Sequence, residues 1–566
     1  MECHRPPRLR ATQYDSAGAV EAFAAWSRVP AAWVLLALFS WVFVPSTALA
    51  RVVIIGVDGG SWNLIDPLVK NGKLPHIAKL MATGTSASLE SHEPVNSPSV
   101  WTTIATGRPP RDHGVTDFHA TRLTVAVPTA FERLAYSGRR VGLYDYLVTW
   151  PPERFEGGFV IPGWLRHDQK TIPEDTWERI DLEPYVQSYA NETSFDQIRE
   201  RSLEETRLKG SRFVALSEAF ELDVGAVTFY ALDSVAHRFW RAAFPEDFEG
   251  EAILETPYAP EQRDTIALVL RGIDEAIGEI AASLGDDDTL LIVSDHGFER
   301  SSDGVDDIWI PRIDELLAEA GLDPERDGFH VVTAFGVLIL FVHEGPFEAR
   351  DAVLDRLLEL VDSVRDPEGE PLFSTDFVDL VPRPKGKQRP WTRRLRQWGL
   401  KIVAENWFHL NTDRNGHAYI FARPRENPIQ ELWPSGEVSV LGVARPVKEV
   451  FRHDEFTGDH RMQGILLARG PAIAVPARDD GKKRSRPELS VLDIAPLLFY
   501  TSGTAIPDDL VGHLPEELLR PEYLAKHPPR STKASTLPPA KHFLDEEDIG
   551  ANPDLVEMLR RLGYVR

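Results

Sequence analysis

Three short apolar runs, each stopping at an aspartate, constrain this chain more than any other feature. They are Val52–Val57 before Asp58, Val224–Leu232 before Asp233, and Thr289–Ser294 before Asp295. A short continuous apolar run bounded by turn residues reads as a strand buried on both faces, the mark of a parallel sheet. Between the second and third runs, residues 262–284 carry Ile266, Val269, Ile273, Ile277 and Ile280 at helical spacing. Alternating strand and helix predict an α/β chain with a largely parallel core. Ligands bind beyond the carboxyl ends of such strands, so the three aspartates stand where a site is expected.

Further elements follow the same pattern. A helix is expected over residues 74–83, starting near Pro75, and strands over 86–91 and Val141–Asp145. Ser97-Pro98 opens a helical stretch that runs to Gly107; serine as N-cap with proline at the first helical position is ordinary helix-start chemistry. Residues 150–220 are richer in polar residues and proline and read as an insertion or cap segment. Gly458-Asp459-His460-Arg461 reads as a turn before the apolar stretch Gly464–Ala468.

Composition narrows the function classes. With 62 Lys plus Arg against 87 Asp plus Glu, the net charge is -25. That disfavours a general nucleic-acid binder, because nothing neutralises phosphates along the whole surface. A small phosphate ester remains compatible, since metal ions can supply positive charge locally. A basic stretch over 383–401, with Arg393, Arg394, Arg396 and Lys401, reads foremost as a solvated face.

The N-terminus reads as an export signal. Arg5, Arg8, Arg10 and Arg28 precede the uncharged apolar run of residues 31–44, and Ala48-Leu49-Ala50 follows with the small residues a signal peptidase requires. The protein is therefore expected to be periplasmic or secreted. An uncleaved segment would instead anchor it to a membrane. The lone cysteine, Cys3, would leave with the signal. A metal in the mature chain must then be held by histidine and carboxylate.

The strand ends carry those ligands. Asp295-His296 pairs a hard oxygen with a borderline nitrogen, a combination suited to zinc. Asp233 and His237 are spaced i, i+4, which puts both on one face if the strand passes into a helix. Asp58 and His460 add two more donors. Ser97 is the candidate nucleophile: a hydroxyl at a helix N-terminus sits at the positive end of the dipole, which favours an alkoxide and an incoming anion. Ser99 is its nearest rival.

The order of these pieces resembles the alkaline phosphatase superfamily, in particular its type I phosphodiesterase/nucleotide pyrophosphatase branch. The matching segments are Val57-Asp58-Gly59, the Asn96–Gly107 stretch with His113-Gly114 behind it, and Thr149-Trp150-Pro151-Pro152-Glu153. Asp233-x-x-x-His237, Ser294-Asp295-His296-Gly297, Gly458-Asp459-His460 and Val491–Pro496 continue the series. Residues 411–416 and Arg423 are similar to a segment of some bacterial members.

The resemblance implies an alkaline phosphatase-like three-layer α/β sandwich with a mostly parallel central sheet and inserted cap segments. It implies two divalent metal ions, usually zinc, with manganese as the other candidate. Asp233, His237 and His460 would hold one, and Asp58, Asp295, His296 and the Ser97 hydroxyl the other. The implied activity is hydrolysis of phosphate esters, foremost phosphodiesters, through a covalent phosphoserine on Ser97. The substrate would be a small-molecule, nucleotide or lipid phosphate ester.

The expected domains are a signal peptide over 1–50, a catalytic domain over 51–525 with insertions near 150–220 and 365–455, and a linker with a C-terminal helix over 526–566. The rival readings are a phosphomonoesterase, a phosphoryl transferase, a sulfatase and a non-catalytic binding protein. A sulfatase needs proline at +2 and arginine at +4 from its modified residue. Ser97 has Pro98 at +1 and Trp101 at +4.

Overall fold

The computed structural model describes residues 50–116, 120–163, 170–185, 195–248, 260–301, 306–334, 337–342, 347–379, 418–475 and 486–534. The expected signal peptide, the basic stretch, residues 411–416 and the expected C-terminal helix lie outside them. Among the described residues no helix is long and apolar enough to cross a membrane.

The first half of the chain lays down β1 (Val52–Val57), β2 (Thr85–Glu90), β3 (Val141–Tyr146), β4 (Phe159–Pro162), β5 (Val224–Phe229), β6 (Thr289–Val293) and the short β7 (Gly297–Arg300). An excursion then adds β8 (Asp306–Pro311), β9 (Phe329–Ala334), β10 (Val337–Val342), β11 (Phe373–Asp379), β12 (Ala418–Pro424), β13 (Glu437–Val440), β14 (Val443–Pro446) and β15 (Phe451–Phe456). The chain returns through β16 (Gly458–Arg461), β17 (Gln463–Arg469) and β18 (Glu488–Ser490).

The central sheet has eight strands in the order β18-β2-β17-β6-β1-β5-β3-β4. Every neighbouring pair in it is parallel except those made by β17, which runs antiparallel to both β6 and β2. Alternate residues of β1 point to opposite faces, as the pleat requires. Val52 and Ile54 join one apolar layer with the helices Ser97–Thr106, Ala130–Tyr136 and Ile494–Thr501. Val53, Ile55 and Val57 join the other, under the helices Pro75–Thr83, Phe195–Ala219, Ala231–Ala243 and Thr265–Ala282. This is the expected three-layer α/β sandwich.

Several local expectations are corrected. The segment 150–220 is not a polar cap throughout. Its first part supplies β4, the edge of the central sheet, and its end forms the 25-residue helix Phe195–Ala219. Ile198, Phe213 and Leu216 bury that helix, although its overall sequence is polar. The run from Val224 leaves the sheet at Phe229, and a helix begins at Ala231, so Asp233 lies in that helix's first turn. Gly458–Arg461 is the strand β16, paired antiparallel with β7, rather than a turn.

The second insertion starts earlier than residue 365. β8 pairs with β15, which closes an excursion from Asp306 to Phe456. Inside it, a four-stranded antiparallel sheet, β11-β12-β10-β9, has its own apolar core with the helix Phe347–Ser363. The expected linker from 526 begins with ordered chain: β20 (Ser531–Thr532) pairs with β19 (Ile506–Pro507).

Candidate active site

The seven residues singled out above come from five places in the chain and meet at one end of the central sheet. Asp58 follows β1, and Asp295 and His296 follow β6. Asp233 and His237 lie on the helix Ala231–Ala243, whose i, i+4 spacing aims both the same way. His460 enters from β16, which hydrogen bonding to β7 fixes opposite Phe298.

They form two adjoining clusters. In the outer one, His460 Nε2 lies 3.2 Å from Asp233 Oδ1 and 3.1 Å from His237 Nε2, and His237 Nε2 is 3.5 Å from Asp233 Oδ1. In the inner one, His296 Nε2 lies 3.3 Å from Asp295 Oδ2 and 3.5 Å from Asp58 Oδ1. The inner side chains are at most 2% exposed, whereas the outer ones keep 18–24% of their surface. The clusters touch: His296 Nε2 is 4.0 Å from Asp233 Oδ1, and the His296 and His460 rings stack at 3.8 Å between centroids.

The donor set fits divalent cations. Each histidine has its Nδ1 within hydrogen-bond reach of a backbone carbonyl: His237 at Gly458 (3.0 Å), His296 at Gly297 (3.1 Å) and His460 at Val95 (2.9 Å). A carbonyl only accepts, so Nδ1 carries a hydrogen, and in the neutral ring Nε2 presents its lone pair to the cluster. Such outer hydrogen bonds orient metal-ligating histidines. Asp295 Oδ2 and His296 Nε2 are fully buried and have no hydrogen-bond partner. Two buried polar atoms left unpaired are costly, and a cation between them would satisfy both. Two overlapping groups, Asp58–Asp295–His296 and Asp233–His296–His460, are tight enough to hold an ion.

The protonation equilibria carry the same strain. Burial, with the Asp295 and Asp233 charges, pushes the Asp58 carboxyl up, against hydrogen bonds from Trp101 and Ser97. Burial and Asp233 raise Asp295 to about 7. Burial and the neighbouring His460 push His296 down, so its ring is neutral. In the outer cluster burial opposes charge too, but the partners win. His237 and His460 hold Asp233 well below the usual carboxylate range, and the Asp233 hydrogen bond lifts His460 to about 9.

Ser97 is buried beside the inner cluster, its Oγ donating to Asp58 Oδ1 at 3.4 Å. Its place on the helix differs from expectation. Asn96 is the N-cap, and its side chain accepts from the Ser99 N–H at 3.0 Å. Ser97 is therefore the first helical residue. Among the first amides, Ser99 N–H is taken by that cap, Val100 N–H goes to Asn96 O, and Pro98 has none. Among the described residues the Ser97 N–H has no partner. A free amide at a helix start is an anion site in waiting. Ser99 is excluded as its rival, because its hydroxyl donates to Val115 O at 2.9 Å. Arg423, on β12, is exposed.

Sequence reading missed the groups that aim the ligands. Trp101 Nε1 donates to Asp58 Oδ2 at 2.9 Å, and Gly59 N–H to Asp295 Oδ1 at 3.3 Å. Gly59 has φ +71°, and a side chain there would strike Phe298 at 2.8 Å. The Asp-Gly dipeptide was a usable signal for that turn. Nothing local marked Trp101, which reads as an ordinary apolar helix residue until the tertiary fold brings Asp58 beneath it.

Comparison with known proteins follows the same line. The family model for type I phosphodiesterase / nucleotide pyrophosphatase matches residues 52–416. No curated protein sequence matches the chain. Among solved structures, murine ectonucleotide pyrophosphatase/phosphodiesterase 5 is 15% identical, with 83% of this chain and 100% of that one covered and a TM-score of 0.37. Phosphonoacetate hydrolase from Sinorhizobium meliloti, in complex with phosphonoacetate, is 17% identical over 80% of this chain and 96% of that one, with a TM-score of 0.38. The family match spans well over half of the sequence, and the chain belongs to the type I phosphodiesterase / nucleotide pyrophosphatase family, enzymes that hydrolyse phosphate ester bonds.

Proposed function

We propose that the protein is a two-metal phosphodiesterase in which Ser97 is the nucleophile. The observation that carries this reading is the convergence of Asp58, Asp295 and His296 on one side, and Asp233, His237 and His460 on the other, beside a hydroxyl with a free amide. Asp58, Asp295, His296 and Ser97 would hold one cation, and Asp233, His237 and His460 the other. Their chemistry when bound is Lewis-acid stabilisation of charge on the attacking and departing oxygens. Zinc suits the mixed carboxylate–imidazole donors.

The protein's own groups do the rest. Ser97 Oγ, its proton passing to solvent, attacks phosphorus from the start of its helix with its backbone N–H directed at a phosphoryl oxygen; the ester P–O bond breaks and the alcohol departs, taking up a proton. The phosphoserine so formed is then hydrolysed, which restores the hydroxyl. Neutral His296 keeps its lone pair available inside, while Asp233 orients His460 and His237 outside. The complete ligand set argues against a non-catalytic relic of the fold, and the residues after Ser97 argue against a sulfatase. The apolar run over 31–44 and the small residues at 48–50 support export from the cytoplasm.

The test is turnover of bis(p-nitrophenyl) phosphate by purified protein, beside p-nitrophenyl phosphate and the sulfate ester, with metal content measured on the same sample. Two equivalents of zinc and a preference for the diester are expected. Metal-free protein that keeps full activity would overturn the reading.

A further inference from the structure

We propose that Trp101 sets the metal preference of the inner cluster by restricting Asp58 to one ligating oxygen. The proposal deepens the two-metal reading and rests on it. The indole Nε1–H donates to Asp58 Oδ2 at 2.9 Å, which leaves Oδ1 as the oxygen facing Ser97 (3.4 Å) and His296 (3.5 Å). The neighbouring carboxylate is treated alike: the Gly59 amide takes Asp295 Oδ1, and Oδ2 is the atom left unpartnered toward His296. Each carboxylate thus presents one oxygen, and a neutral N–H donor occupies the other.

The indole is held in place from three sides. It is fully buried. Tyr146 donates to the Trp101 carbonyl at 2.9 Å and packs edge-on to the ring at 5.7 Å. On β1, Gly56 supplies the room, since a Cβ there would lie 2.6 Å from the indole Cη2. Two turns of a helix, one strand and a tyrosine therefore converge on the direction of one N–H bond.

Denticity separates cations. Zinc takes four ligands in a tetrahedron, one atom from each. Calcium takes six to eight oxygens and commonly uses both oxygens of a carboxylate. Two single-oxygen carboxylates and one imidazole nitrogen give three protein atoms. That number leaves a four-coordinate ion a place for the Ser97 hydroxyl, and gives a calcium ion far too few. Removing the indole N–H frees Asp58 to chelate through both oxygens.

The test uses full-length protein in which Trp101 is replaced by benzothienylalanine, which exchanges N–H for sulfur at nearly constant shape, with Trp101→Phe and Gly56→Ala as companions. Zinc and calcium affinities are read by chelator competition, without reference to activity. The expected result is zinc binding at one of two equivalents weakened about 10–100-fold, the range typical of lost outer-shell partners, with calcium binding strengthened, so that the zinc-to-calcium ratio falls at least about tenfold. A mere packing role would leave the benzothienyl protein unchanged. An unchanged ratio in that protein overturns the inference while the two-metal reading stands. Wild-type protein that binds no zinc overturns both.

Discussion

The inner and outer clusters use the same kinds of atoms a few ångströms apart, and they solve opposite electrostatic problems. In the inner one, Asp58 and Asp295 are buried together with a neutral histidine, and both carboxyls are pushed up. In the outer one, a single carboxylate faces two imidazoles, keeps contact with solvent, and is held down by them. The inner cluster concentrates carboxylate charge that burial opposes, whereas the outer one offsets Asp233 with a His460 ring whose protonated form is favoured. Water access and the ratio of acids to bases decide which partner a ligand set needs, not the residue types alone.

The largest expected effect separates nucleophile from ligands. Ser97→Ala should lower diester turnover by about a thousandfold or more while both metal equivalents and the melting temperature persist. Full turnover in that variant would break the assignment of chemistry to the inner side.

Next comes a contrast in sign. In metal-free protein at pH 8, Asp295→Asn should raise stability by roughly 1–4 kcal/mol, because it removes a buried charge that burial and the neighbouring Asp233 oppose more than its hydrogen bond from Gly59 supports it. Asp233→Asn at pH 7 should lower it by about 1–2 kcal/mol, a buried-pair cost discounted for solvent exposure. Denaturant melts of chelated samples would measure both. Equal signs would erase the proposed difference.

A third prediction concerns pH. His460 is raised in the folded state from 6.5 to about 9. The native protein then binds more protons than the unfolded chain, so its contribution is complete below pH 6.5 and is lost as pH climbs to 9. The melting temperature of chelated protein should fall across that window. Asp233→Asn should flatten the slope, and metal loading should abolish it. The smallest effect belongs to Asp459→Ala. Asp459 is exposed and its carboxylate caps the His460 N–H at 2.7 Å. Turnover should change less than about twofold, in line with ordinary surface substitutions. A large loss would mean that the outer cluster extends further than its three ligands.

Much of this was legible before any coordinates. The apolar runs into Asp58 and Asp295 declared the strand ends because burial on both faces leaves no room for alternation. The i, i+4 pair Asp233/His237 declared a shared helical face. His460 was legible as a ligand, but its setting was not. A four-residue strand has no periodicity of its own, and β16 exists because β7 pairs with it. The helix Phe195–Ala219 was obscured by the polar side chains on its solvent side. The cap of the Ser97 helix was misplaced by one residue, since serine and asparagine are both favoured there and only the tertiary fold decides. Trp101 and the Val95 carbonyl needed contacts across scores of residues, which no local pattern records.

The antiparallel strand β17 carries a consequence for biosynthesis. It wedges between β6 and β2, and the residues just before it bring His460. A nascent chain still short of that point has β1, β5 and β6 in hand but a gap in the middle of its sheet, and one of the three outer-cluster side chains, His460, missing. Assembly must therefore wait for segments made roughly four hundred residues after β1, a slow, long-range closure.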